Sequence, residues 1–386
     1  MIRMPITAVA ASIALASCGG RSYGVAPSGP TGVAPGSQTR QAQGAARTDA
    51  AHAEFAYVAN SKSSNVSAYK IESSGALTPV KGSPFRAGSG PSGVAVDSRG
   101  KFAYVSNEGS DNVSAYKIES SGALTQVKGS PFRAGSHPFG VAVDPSGKFA
   151  YVVNPVSDNV SAYRIERSGA LTAVKGSPFR AGSSPAAVAV DPTGKFAYVT
   201  NASSNNVTAY AINATSGALT QVKGSPFRAG ATPLGVAVDP TGKFIYVANS
   251  DYSNTISAYV INESSGALKK VNGSPFRASN PLYVAVDPTG KFACVTSNDF
   301  YATIDAYKIE SSGALKLVNG ASSVSFARGP TEGVAFDPKG NFVYVVSASP
   351  FENDVFAFRV ESSGALLYVA GSPFRAGINP TGIATL

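Results

Sequence analysis

Residues 93–133 read GVAVDSRGKFAYVSNEGSDNVSAYKIESSGALTQVKGSPFR, four short apolar segments separated by turn residues. In GVAVD, Val94 and Val96 alternate with small residues. KFAYV follows across Asp97-Ser98-Arg99-Gly100, a tight turn in which glycine takes the left-handed or bulged position. NVSAYKI reads as a third strand. LTQVKGSPF (LTPVKGSPF after Ser73-Ser74-Gly75 in the preceding copy) reads as a fourth. Strands of five to nine residues, with turn residues about every dozen, spell one four-stranded antiparallel blade.

The unit recurs. The phenylalanine of FAYV or a close variant stands at Phe55, Phe102, Phe149, Phe196, Phe244, Phe292 and Phe342, at spacings of 47 to 50 residues. A period of that size belongs to propeller arrays. Nothing like GVAVD precedes Phe55, whereas Gly382-Ile383-Ala384-Thr385-Leu386 is an inner strand with no successor. The surplus at one end matches the deficit at the other. The sequence therefore predicts an all-β, seven-bladed β-propeller of four-stranded blades over residues 54–386, its ring closed by the C-terminal strand. Crowding at the axis explains the Gly, Ala and Val of the inner strands. Tyr69, Tyr116, Tyr163, Tyr210, Tyr259, Tyr307 and Phe358 read as packing between blades. Cys294 stands where other units have Tyr57, Tyr104 or Tyr246 and, with no histidine near it in the repeat, reads as a buried structural thiol.

The remaining residues read as an address and a tether. Arg3 precedes an apolar run, Ile6 to Leu15, that is too short to span a membrane and suits an export signal. The run ends Leu15-Ala16-Ser17-Cys18, which resembles a bacterial lipobox. The resemblance implies a signal over 1–17, cleavage before Cys18 and acylation there. Gly19 in place of an aspartate favours the outer membrane, and several acyl chains would anchor the domain stably. Residues 18–53, rich in Gly, Ala, Ser and Pro, have no hydrophobic period and read as a flexible tether.

Composition narrows the function classes. Charged residues are 14%, against roughly 25% in an average domain. The net charge of +9 contains no dense Lys/Arg block, so an anionic partner is permitted and nucleic acid is not expected. Two cysteines and two histidines argue against a disulfide framework and a His/Cys zinc site. No cofactor or metal is expected, and the domain is expected to be monomeric. Asp97, Asp144, Asp191, Asp239, Asp287 and Asp337 recur in Asp-Pro-x-Gly-type turns and read as turn formers.

FAYVTN (Phe196 to Asn201) and FIYVAN (Phe244 to Asn249) resemble the YVTN family of bacterial β-propellers. They are equally similar to the propeller-fold lactonases, which include the 6-phosphogluconolactonase type. The resemblance covers residues 54–386. Its lactonase branch implies hydrolysis of a cyclic sugar ester.

Two sets of residues are candidates for a site. Each unit places an arginine after GSPF, at Arg86, Arg133, Arg180, Arg228, Arg277 and Arg375, with Arg328 standing in for the seventh. These arginines either focus positive potential at one mouth, suiting carboxylate or phosphate, or bond loop carbonyls within their own blades. The second set departs from the repeat. The x of Pro-x-Gly, or of a close variant, at the entry to the inner strand is Ser92, Phe139, Ala186, Leu234, Leu282, Glu332 or Thr381, of which Glu332 alone ionises. His137 is two residues from Phe139. Lactone hydrolysis needs a general base or a metal-bound hydroxide and stabilisation of the oxyanion; Glu332 or His137 is the candidate base, with neighbouring arginines as oxyanion partners. Loop residues Glu108, Asp111, Asp158, Asp251, Asp299 and Glu352, with Tyr252, Phe300, Tyr301 and Phe351, add diversity that is greatest in blades 5 to 7. The expected role is a lipid-anchored binding or scaffold module of the cell envelope, engaging an anionic small molecule, carbohydrate or envelope protein. The alternative is a lactonase-like hydrolase using the arginine-rich mouth.

Overall fold

The computed structural model describes residues 54–250, 253–297, 301–318, 324–328, 330–348 and 353–386. The signal expected over 1–17, Cys18, the tether expected over 18–53, Asp251, Tyr252, Asp299, Phe300, Phe351 and Glu352 lie outside them. Seven antiparallel sheets form seven blades. The second strands of blades 1 to 7 are Glu54–Asn60, Phe102–Asn107, Phe149–Asn154, Phe196–Asn201, Phe244–Asn249, Phe292–Ser297 and Phe342–Ala348. The inner strands of blades 2 to 7 are Pro91–Val96, Val141–Val143, Pro185–Val190, Pro233–Val238, Pro281–Val286 and Thr331–Phe336. Blade 1 takes its inner strand from Pro380–Thr385, which pairs antiparallel with Glu54–Asn60 in the register Ala56↔Thr385. Phe55 and Leu386 exchange both backbone hydrogen bonds and extend that closure.

The outer strand departs from the sequence expectation in one respect. It is broken in two, as in Leu77–Pro79 and Phe85–Arg86, both pieces pairing with the third strand Asn65–Ile71. Pro84 brings no N–H to the ladder, and Gly82 turns at φ 89, so the chain detours. The Ser83 hydroxyl then accepts the Ala68 N–H at 2.9 Å, replacing the lost ladder bond. The serines of the other GSPF copies, such as Ser130 for Ala115, do the same.

Three contacts repeat between blades. The second-strand tyrosine donates to the carbonyl of the next blade's turn glycine, as Tyr57 to Gly122 at 3.0 Å and Tyr344 to Gly75 at 3.0 Å. The third-strand tyrosine donates backward to the carbonyl of the preceding blade's arginine, as Tyr116 to Arg86 and Tyr163 to Arg133, both at 2.6 Å. The anchor phenylalanine lies under that same turn glycine. A Cβ on Gly122 would stand 2.3 Å from Phe55, at φ +82. Gly122→Ala is therefore expected to cost about 2–4 kcal/mol through overpacking and left-handed backbone strain. A urea melt showing a loss under about 0.5 kcal/mol would mean that the contact yields freely.

The turn aspartates behave as expected. Asp97 accepts the N–H groups of Lys101 at 2.6 Å and Phe102 at 2.7 Å. Asp111 and Asp158, counted above among the loop residues that add diversity, are in register with one another. Each sits at φ 52 and accepts a backbone N–H from the segment leading into the next blade, His137 and Ser184 respectively, at 2.8 Å. Asparagine does the same work at Asn205 and Asn254. Their carboxylates therefore close turns between blades.

Candidate functional site

The loops between second and third strands share one face with the segments leading into the inner strands. Ser61 and Lys62 donate N–H groups to Asn379 and Ile378, and Glu108 and Gly109 to Gly90 and Ser89. The candidate arginines lie on that face, because Arg86 pairs with Asn65, at the start of the third strand. They do not converge at its centre. Each lies on the outer strand, three strand spacings or about 14 Å from the inner one. The side chains of Arg86, Arg133, Arg180, Arg228, Arg277 and Arg375 are exposed, and Arg328 pairs with Tyr301 along the same edge. The guanidinium ring is thus a perimeter feature. What the repeat uses from these residues is a carbonyl, which receives the next blade's tyrosine.

The variable position before the valine run does lie at the mouth. Ser92, on the inner strand of blade 2, donates its hydroxyl to the Pro138 and Phe139 carbonyls of blade 3 at 3.2 Å. Thr381 reaches the Pro91 carbonyl at 2.8 Å. In this belt Glu332 is the ionisable member, 9% exposed.

His137 is not brought to it. It leads into blade 3 while Glu332 belongs to blade 7, with blades 1 and 2 between them. His137 is exposed, at φ 53, and faces Glu108, whose carboxyl pKa burial raises and His137 partly lowers again. The two candidate bases therefore stand on blades that are not neighbours in the ring.

The second-strand asparagine is the polar hub of blades 1 to 5. Asn107 Nδ2 donates to Asn112 Oδ1 at 2.7 Å and Ser114 Oγ at 2.9 Å, and its Oδ1 accepts the Gly88 N–H at 3.1 Å. Blades 6 and 7 replace it with Ser297 and Ser347. Around that change the buried polar residues multiply. Asp305 occupies the position held by Ser67 in blade 1, and Asp354 that of Asn65. Among the described residues, the buried acids outside the turn positions are Asp305, Glu332 and Asp354, all in blades 6 and 7.

Sequence reasoning missed the aromatic member. Tyr283 stands where other inner strands have Gly93, Gly140, Ala187, Gly235, Gly333 and Gly382. It is fully buried, and its hydroxyl has no hydrogen-bond partner. Burial first, and the charge of Glu332 second, push its pKa well above the usual phenol value, so it stays protonated. Aligning the seven repeats would have exposed this exception. Cys294 is buried and free, as expected, with its thiol pKa raised by burial and secondarily by Asp287 and Asp305.

A closed seven-bladed ring in which, among the described residues, the buried acids outside the turns and the inner-strand tyrosine fall in two adjacent blades defines a propeller with one specialised sector. The chain belongs to the lactonase family of seven-bladed β-propellers, whose family model matches residues 33–179, 172–285 and 225–380. No curated protein matches it in sequence. Among solved structures it is similar to a candidate 6-phosphogluconolactonase of Bacteroides fragilis, with a TM-score of 0.76, 18% identity, and 88% of this chain and 99% of that one covered. It is similar also to the periplasmic gluconolactonase of Pseudomonas aeruginosa, with a TM-score of 0.73, 17% identity, and 86% and 99% covered. A candidate 6-phosphogluconolactonase of Bacteroides uniformis gives a TM-score of 0.72 at 16% identity, with 86% and 99% covered. At such identities the likeness is one of fold.

Proposed function

We propose that this protein is a lactone hydrolase of the 6-phosphogluconolactonase-like type, opening a cyclic sugar ester at the propeller mouth. The observation that carries the reading is Glu332, a buried carboxylate in a belt of otherwise non-ionisable residues, beside the protonated Tyr283. Family membership supports the reaction class. Glu332 takes a proton from water as the water oxygen adds to the ester carbonyl carbon. The carbonyl electrons move to its oxygen, and collapse of that intermediate breaks the bond to the ring oxygen, which takes up the proton. One water is consumed and a hydroxy acid leaves. The arginines, three strands out, are too remote to hold the oxyanion. Acid release from glucono-δ-lactone and its 6-phosphate, above the buffer rate, tests the reading; buffer-level rates with both substrates would refute it.

Export and acylation at Cys18 complete the proposal and would place the enzyme in the cell envelope, as the name of the Pseudomonas neighbour suggests for that protein. Labelling with a fatty-acid analogue is expected for the native chain and not for Cys18→Ser. Equal labelling of the two would overturn it.

A second role rests on the exposed arginine perimeter, which suits an anionic surface or polymer. Arg228→Ala and Arg277→Ala are expected to weaken polyanion binding at low salt more than Lys101→Ala, on the opposite face, and high salt to erase the difference. Thermal-shift titration reads this. Equal responses from all three would leave the arginines with a structural role.

A further inference from the structure

The seam between blades 6 and 7 lacks two contacts found at other seams. Cys294 stands where a tyrosine would reach the Gly364 carbonyl, and Phe358 where a tyrosine would reach the Arg328 carbonyl. Both exceptions fall on one junction, although the residues lie 64 positions apart and belong to opposite sides of it. An aromatic cluster takes their place, with the Phe326 and Phe356 rings 4.7 Å apart and Phe326 and Phe358 5.6 Å apart. This seam therefore lacks the two directional tyrosine bonds that the other seams have.

Within the seam lie two orphaned hydroxyls. Tyr283 and Thr296 are direct cross-strand partners in blade 6, both buried, and neither hydroxyl has a hydrogen-bond partner. In the two other blades with a hydroxyl at the Thr296 position, blades 2 and 4, it is satisfied by the next inner strand. Thr200 donates to the Leu234 carbonyl at 2.6 Å, and Ser106 to that of Phe139. The glycines show where a side chain at the Tyr283 position goes. A Cβ on Gly93 would meet the Phe139 carbonyl at 2.5 Å, and one on Gly235 the Leu282 carbonyl at 2.9 Å. The side chain therefore drives toward the next blade's inner strand at the level of the variable residue, which for Tyr283 is Glu332. In blade 2 that carbonyl is also the acceptor Ser106 uses, so a side chain at this position competes for the acceptor's space. The mouth stays pinned by Thr331, whose hydroxyl donates to the Ser297 carbonyl at 3.0 Å.

Buried hydroxyls without partners are costly, and two side by side at the seam that lacks both tyrosine bonds mark a place for a polar occupant. We infer that the seam between the inner strands of blades 6 and 7 is a slot for a polyhydroxylated ligand, held by the Tyr283 and Thr296 hydroxyls with Glu332 at its mouth. An alcohol suits the pair because each of its hydroxyls both donates and accepts. The inference rests on the hydrolase reading only in identifying that ligand with the sugar portion of the lactone.

Cys294 lies at the same seam and reports its opening. In the full-length Cys18→Ser chain it is the sole thiol. Burial keeps it from the reactive thiolate form until the seam parts. Alkylation of Cys294 would be timed with and without D-gluconate, and with sorbitol as the uncharged polyol. Both are expected to slow labelling at least fivefold. Tyr283→Phe keeps the ring and Thr296→Val the shape, and each is expected to remove most of that protection while preserving the fold. Absence of protection by either polyol in the folded parent overturns the slot. So does equal protection in both variants, or a Tyr283→Phe chain that melts higher with its protection unchanged, the signature of a resident water only. Protection without lactone turnover keeps the slot and removes the hydrolase reading; turnover with KM and labelling insensitive to both variants does the reverse.

Discussion

Removing residues 382–386 is expected to open the ring and cost at least about 5 kcal/mol. The segment buries Ile383 and Ala384, pairs with Ala56 to Ala59, and exchanges backbone bonds with Phe55 through Leu386. The Thr385 hydroxyl also bonds the Phe336 carbonyl of blade 7. One short strand thus fills the inner edge of blade 1 and bridges blades 7, 1 and 2. A loss of that size equals the whole stability of a marginal domain, so a truncated chain is expected to melt far lower or to associate through its exposed edge. An unchanged melting temperature would show that the closure contributes nothing.

The second large effect concerns chemistry. Glu332→Gln preserves shape and hydrogen-bonding capacity but removes the base, and kcat for lactone opening is expected to fall about 10²–10⁴-fold with KM little changed. Glutamine fits the same space, so the fold is expected to persist, which a melt of the variant checks. His137→Ala serves as the control and should leave kcat within about twofold, since His137 is exposed and sits by blade 3. A Glu332→Gln enzyme at full rate would remove the carboxylate from the mechanism.

Much of the fold could be read from spacing, because a repeat writes the same constraint seven times. Phe55 and its six copies gave the blade count, and the unmatched strand at 382–386 gave the closure. The site was less legible. Glu332 stood out in sequence because its ionisable side chain interrupts a run of small, apolar and hydroxyl residues. The arginines stood out for the opposite reason, by repetition, and what the repeat visibly uses is their carbonyls, which serve the tyrosines of the neighbouring blades. Spacing along the chain carries no radius, so it could not tell a perimeter from a mouth. Nor could it show that Cys294 and Phe358 meet at one seam, since one tyrosine contact runs forward around the ring and the other backward. Tyr283 hid among apolar residues, its difference visible only against the glycines in register with it.

The most direct test of a specialised sector is hydrogen–deuterium exchange on the full-length chain with and without D-gluconate. The account predicts ligand-dependent protection at Pro281–Val286 and Thr331–Phe336, with Pro91–Val96 and Pro185–Val190 unchanged. Protection spread evenly around the seven inner strands, or confined to the arginine-bearing outer strands, would contradict it.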